Sequence, residues 1–162
     1  DARRGTPPTD PTAPTVEDRS PRSYIINGWN DYFRSTMSDT DFNRYMAAQH
    51  PRGSIKLQAV RKPADTVLLE EKKNIEAPVA GGRLSPHFYM DFLETNPSVG
   101  NVSGNDFDEV EHARHFGGKT SGGSNHAFAD GSTRYLRYGR AVAPVNLWAV
   151  TEPWRRNAVT GL

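Results

Sequence analysis

The sequence contains no cysteine. That excludes disulfides, thiolate metal centres and a thiol nucleophile, and it leaves the compartment open. No apolar run approaches the roughly 20 residues of a membrane-spanning helix, and no signal peptide is visible. Neither sign of charge dominates, with 20 Lys and Arg against 19 Asp and Glu, so there is no global electrostatic case for nucleic acid. The basic spots at Arg3-Arg4, Arg134 to Arg140 and Arg155-Arg156 read as solvated faces. Apolar residues are also scarce, at 35%, beside 12 prolines and 14 glycines. This mixture suits short elements joined by many loops and argues against a long-helix bundle. A chain of 162 residues nevertheless suffices for one domain with a self-sufficient core.

Residues 1–22 hold five prolines and only Val16 as a sizeable apolar side chain. Such a segment cannot offset its own ordering entropy, so it is expected to be extended or disordered, with a globular domain over 23–162. "SYIINGW" predicts a short strand ending at the turn pair Asn27-Gly28, with Trp29, Tyr32 and Phe33 following as core aromatics. "SDTDFNRYMAAQHP" predicts a helix capped by Ser38, with Asp39 and Asp41 at its positive end and Pro51 as its stop. "TVLLEE" reads as a buried strand. "LSPHFYMDFLETNP" reads as a helix, with Ser85 as cap and Pro86 in the first turn. The stretch from Asn96 to Asp108 reads as loop. "SNHAFADGSTRYLRY" reads as a β-hairpin turning at Asp130-Gly131, and "VNLWAVTEPW" as a last strand. Short strands mixed with short helices point to an α+β fold with an antiparallel sheet.

Three constellations bear on chemistry. Glu111, His112, His115, His126 and Asp130 lie within twenty residues, and three imidazoles with a carboxylate could hold zinc. Their spacing matches no compact zinc signature, so histidines bonding around a tight loop are the preferred reading. "FGGKTSGGSNH" is glycine-rich, but it precedes a strand instead of a helix, and Lys119-Thr120 lacks the phosphate-loop frame. A sharply bent connection is enough to explain it. Asn101, Ser103, Asn105, Asp106, Asp108 and Glu109 form an oxygen-rich loop, a candidate for calcium. It lacks an EF-hand frame, and such loops also arise from Asx turns without metal. Of the oxygen donors, Asn101, Asn105, Asp106 and Asp108 are the candidate ligands. Ser121 and Ser124 have no nucleophile-elbow pattern, and Glu70-Glu71 should point to opposite faces of their strand.

The segment "RHFGG…SNHAFADGSTRYL", residues 114–136, resembles the C-terminal motif of bacterial prepilin-like proteins related to the pseudopilins of type II secretion. In that motif nine residues separate a histidine from Asp-Gly. The matching positions are His115, Gly117, Gly118, Asn125, Phe128, Asp130 and Gly131. "RSYIINGWNDYF", "KPADTVLLEE" and "PVNLWAV" resemble further blocks of the family, in the family's order, over most of 22–150. Two departures stand out. Fourteen residues separate His115 from Asp130, which makes "KTSGG" look like an insertion. Family members also begin with a leader and a long hydrophobic helix, whereas this chain begins at Asp1.

The resemblance implies a pilin-like globular head: a non-enzymatic structural subunit of a type IV pilus-like or type II pseudopilus-like filament. It implies a periplasmic or extracellular location, other pilin-like subunits as partners, and an N-terminal hydrophobic helix that is either truncated or on a separate chain. It also adds weight to calcium, because major pseudopilins hold it in a C-terminal loop, although no ligand carries over residue by residue. The motif residues are expected to be structural, with Asp130 a turn residue. The competing readings are a surface module that binds polysaccharide or protein through Trp29, Trp148 or Trp154, and a metal hydrolase using His112, His115 and His126.

Overall fold

The structure, a computed structural model, describes residues 24–46, 55–72, 89–90, 110–117 and 121–156, with backbone alone for residues 46, 89 and 90. The strands are β1 (Tyr24–Asn27), β2 (Val67–Glu71), β3 (Tyr89–Met90), β4 (Gly123–Phe128) and β5 (Thr133–Arg137). They form one sheet in the order β3-β1-β2-β4-β5. Four strands run antiparallel, β1 to β2, β2 to β4 and β4 to β5, and the two residues of β3 pair parallel to β1. With the short helices α1 (Asn30–Thr36), α2 (Asp39–Met46) and α3 (Glu152–Arg155), this is a small α+β fold.

Alternation decides which side chains enter the core. In β1, Ile25 and Asn27 turn inward while Tyr24 and Ile26 turn out. Ile25 joins Val67, Val110, Phe128, Val142 and Trp148 in the main cluster, where each large side chain contributes roughly 1.5–3 kcal/mol by leaving water. Asn27 is the polar residue among them, and its side chain is fully used. Its Nδ2 donates to the carbonyls of Val67 at 2.7 Å and Trp148 at 2.8 Å, and its Oδ1 accepts the Trp29 N–H at 2.8 Å. One amide thus ties β1 to the start of β2 and to the C-terminal segment.

A second cluster forms where α1 and α2 meet: Phe33, Phe42 and Tyr45, with Trp29, Tyr32, Met37 and Ile55 packed around them. The predicted cap is present. Ser38 Oγ accepts the Asp41 N–H at 3.1 Å and donates to Asp41 Oδ2 at 2.9 Å, so the hydroxyl satisfies a first-turn donor and is itself held in place. Asp31 locks α1 to the C-terminal segment. Although buried, its Oδ2 accepts the N–H groups of Val150 at 2.9 Å and Thr151 at 2.6 Å and the Thr151 hydroxyl at 2.8 Å. Burial still raises its pKa against the pull of those donors.

Two expected elements differ. Within the expected helix of residues 84–97, Tyr89 and Met90 are strand, paired with Ile26 and Asn27; the remainder lies outside the described residues. The run Phe88-Tyr89-Met90 has strand propensity as well as helical spacing, and periodicity alone does not separate the two in a short apolar run. "VNLWAVTEPW" is not a strand: residues 145–151 are turns, bends and irregular backbone, and Glu152–Arg155 form α3. Its backbone groups find isolated partners, Leu147 N–H on Ala141 and the Leu147 carbonyl receiving Val67 N–H, both at 2.8 Å. Asn146 Oδ1 takes the Trp148 N–H at 3.0 Å, and such an Asx contact competes with a ladder.

Candidate functional site

Glu70 and Glu71 are adjacent on the central strand β2, so they point to opposite faces of the sheet. Each meets a histidine. On the inner face Glu70 is fully buried, with Oε2 2.7 Å from Nε2 of His126, which is itself buried. The two are cross-strand partners between β2 and β4. His126 Nδ1 lies 3.0 Å from the carbonyl of Ser124, which can only accept, so Nδ1 carries a hydrogen. Nε2 therefore faces Glu70 Oε2 across 2.7 Å, and neither of those atoms has a hydrogen-bond partner of good geometry. Burial pushes the Glu70 carboxyl up to about 7 against the pull of His126, and the like charges of Glu71 and Glu111 push the same way.

On the outer face His115 sets Nε2 3.1 Å from both oxygens of Glu71. The backbone N–H of Asn125 donates to Glu71 Oε2 at 3.1 Å, and Arg114 Nε stands 3.6 Å from Oε1. The Asn125 amide reaches the same imidazole nitrogen at 3.1 Å. Backbone pairing places the histidine: its N–H and carbonyl both bond Gly123, at 2.9 and 3.0 Å. The segment from Val110, which bridges Lys72, to His115 therefore runs from the end of β2 to the start of β4. His115→Ala should lose about 1 kcal/mol, because the pair is partly exposed and Glu71 keeps its other donors. Urea denaturation of His115→Ala, Glu71→Gln and the double variant measures the coupling, and strictly additive losses would refute the pairing.

The hairpin closes the arrangement. Asp130 Oδ1 accepts the Ser132 N–H at 2.9 Å and the Ser132 hydroxyl at 2.7 Å, and these bonds hold its carboxyl below the usual range. Gly131 takes φ 87°, a conformation natural to glycine. The turn docks on the segment before β2, through Ala129 N–H to Thr66 at 2.9 Å and Asp130 N–H to Pro63 at 3.2 Å. Phe128 is buried, and the Arg134 guanidinium lies 3.6 Å from its ring centroid while also bonding Asp65. Asp130 is a turn residue, as its position in the sequence predicts.

No known family, curated protein or solved structure matches this chain.

Of the residues singled out in the sequence, His115 and Asn125 meet, while Phe128, Asp130 and Gly131 form the hairpin that carries Asn125. Gly117 has φ +150°, and an added Cβ would lie 2.6 Å from Ser121 Oγ. Gly118 and the candidate calcium ligands Asn101, Asn105, Asp106 and Asp108 lie outside the described residues. The three histidines have separate partners: His115 has Glu71, His126 has Glu70, and His112 is buried edge-on to Tyr138 with centroids 5.8 Å apart. Among the described residues no group of three His, Cys, Asp or Glu is arranged to hold a metal ion. No helix among them is long and apolar enough to cross a membrane. Trp148 is fully buried, and Trp29 and Trp154 pack half-buried against the two clusters.

Sequence reasoning named Glu70-Glu71 without linking them to the histidines, and it read Gly122-Gly123 as part of a bent connection. The carboxylates left a signal: two acids closing an apolar strand need partners if that strand is buried. The glycines fall in the stretch that the resemblance sets aside as inserted, yet Gly123 is the first residue of β4.

Proposed function

We propose that the chain is the globular head of a pilin-like structural subunit, without enzymatic activity, displayed outside the inner membrane in a filament of the type IV pilus or type II pseudopilus kind. One observation carries this reading. The residues that resemble the family's blocks are used to join strands: Asn27 couples β1, β2 and the C-terminal segment, His115 and Asn125 clamp Glu71, and Asp130-Gly131 turns the hairpin. A motif whose polar atoms bond one another serves a scaffold better than a reaction. The partners in this reading are other pilin-like subunits, with a hydrophobic helix supplied upstream or by another chain.

The test is a fractionation of native cells. Sheared surface filaments are probed with an antibody to this chain, and the intact mass of the labelled polypeptide is measured. The expected result is labelling along filaments, by a species exceeding 18.0 kDa by roughly 20–30 residues, the length of a hydrophobic helix with flanks. Filaments that lack the polypeptide while it accumulates elsewhere in the cell would overturn the reading.

A further inference from the structure

Among the described residues two aromatics have left-handed backbones, Trp29 at φ 58° and Phe116 at φ 57°. For a residue with a bulky side chain this conformation costs roughly 1–2 kcal/mol. At Trp29 the cost is offset, because the ring packs against the second core cluster and the N–H bonds Asn27. Phe116 has no such compensation, since its side chain is 90% exposed. The fold nevertheless fixes its position. The preceding residue is held by two backbone bonds to Gly123 and by the contact with Glu71. Tyr135, projecting from β5, sets its ring at 75° to Phe116 with centroids 6.2 Å apart, and its hydroxyl bonds the His115 carbonyl at 3.3 Å. A strained, exposed apolar ring held in register with a second ring points to a ligand.

We propose that the corner formed by Phe116 and Tyr135, with Asn125 beside it, binds a pyranose ring of a polysaccharide. The chemistry of the corner selects this class. A pyranose with equatorial hydroxyls presents a flat C–H face that stacks on an aromatic ring, and its rim of hydroxyls needs planar donors and acceptors alongside. Asn125 is the cross-strand neighbour of Tyr135 and is itself exposed; its Nδ2 is on His115, so Oδ1 is the amide atom it would turn to a sugar edge. Phe116 is 90% and Tyr135 42% exposed, so together they offer less than the roughly 300–500 Å² of two whole aromatic side chains, well below the roughly 800 Å² per partner that a stable protein interface buries. A small rigid ligand therefore fits the corner better than a second copy of the chain. This site stands on its own surface and does not depend on the filament reading.

The experiment titrates the full chain with chitohexaose and with cellohexaose, up to about 10 mM, and reads saturation-transfer NMR. Phe116→Asn and Tyr135→Thr are run alongside. Asparagine tolerates φ near +57° and threonine suits a strand, so both variants keep the fold, and Phe116→Asn melts at the same temperature as the parent or higher. The expected result is binding of at least one oligosaccharide, weakened roughly tenfold in each variant, as for the loss of one aromatic contact. The proposal is overturned if neither sugar binds, or if binding survives both substitutions. It is also overturned if the parent chain self-associates and Phe116→Asn abolishes that association, which would assign the corner to a second copy.

Discussion

Gly123→Ala is expected to lose at least about 3 kcal/mol of stability, the largest loss from a single methyl in the described chain. An added Cβ would lie 2.1 Å from the Leu136 carbonyl oxygen, 2.8 Å from the Tyr135 ring and 2.9 Å from the Arg137 Cα. Two of the three obstacles are backbone atoms of β5, so no rotamer change relieves them. Either β5 moves off β4 at its first pair, Gly123 with Arg137, or Gly123 moves and releases His115 from its two backbone bonds. The control is Gly131→Ala. That glycine has φ +87° with nothing within 4 Å of an added Cβ, so only the left-handed backbone is strained and the loss is about 1–2 kcal/mol. Urea denaturation of both variants tests the ranking. A Gly123→Ala protein within about 1 kcal/mol of the parent would mean that β4 and β5 do not approach as described.

The same glycine marks where the sequence stopped being legible. The hairpin could be read because its signals are local: alternating side chains, an Asp-Gly turn, and a serine that bonds the aspartate. The cap of α2 and the strand β2 were local in the same way. Gly123 is required by a carbonyl thirteen residues later, across a turn, and no window of sequence contains that clash. β3 and the "VNLWAV" segment follow the same rule. Tyr89-Met90 becomes strand because β1 offers its edge, and Trp148 leaves strand geometry because Asn146 and Asn27 take its backbone groups. The histidines were legible as residues that bond around a tight loop, but their partners were not. Glu70 and Glu71 sit more than forty residues before them, and only the strand register brings them together.

Stability should fall as pH rises from about 5 to about 8, because of the buried half of that pairing. Glu70 has a carboxyl pKa raised to about 7 from an ordinary 4.5. The folded state therefore holds this proton across an interval in which the unfolded chain has lost it. Its contribution is complete below about 4.5 and disappears as pH passes about 7, a change of about 3 kcal/mol. Asp31 is also raised by burial and acts in the same direction. Asp130 and Glu152, held low by Ser132 and Lys62, act in the opposite direction, but only in more acid solution, where carboxylates ordinarily titrate. Glu70→Gln separates Glu70 from the rest. Its amide stands in for the protonated acid and can donate to His126 Nε2 while Nδ1 keeps its bond to the Ser124 carbonyl. This variant should keep nearly the same stability at pH 5 and pH 8 and exceed the parent at pH 8. If the parent is equally stable at both values, or Glu70→Gln retains the parent's slope, then burial on β2 does not hold a proton on Glu70, and the pH dependence of the two central strands arises elsewhere.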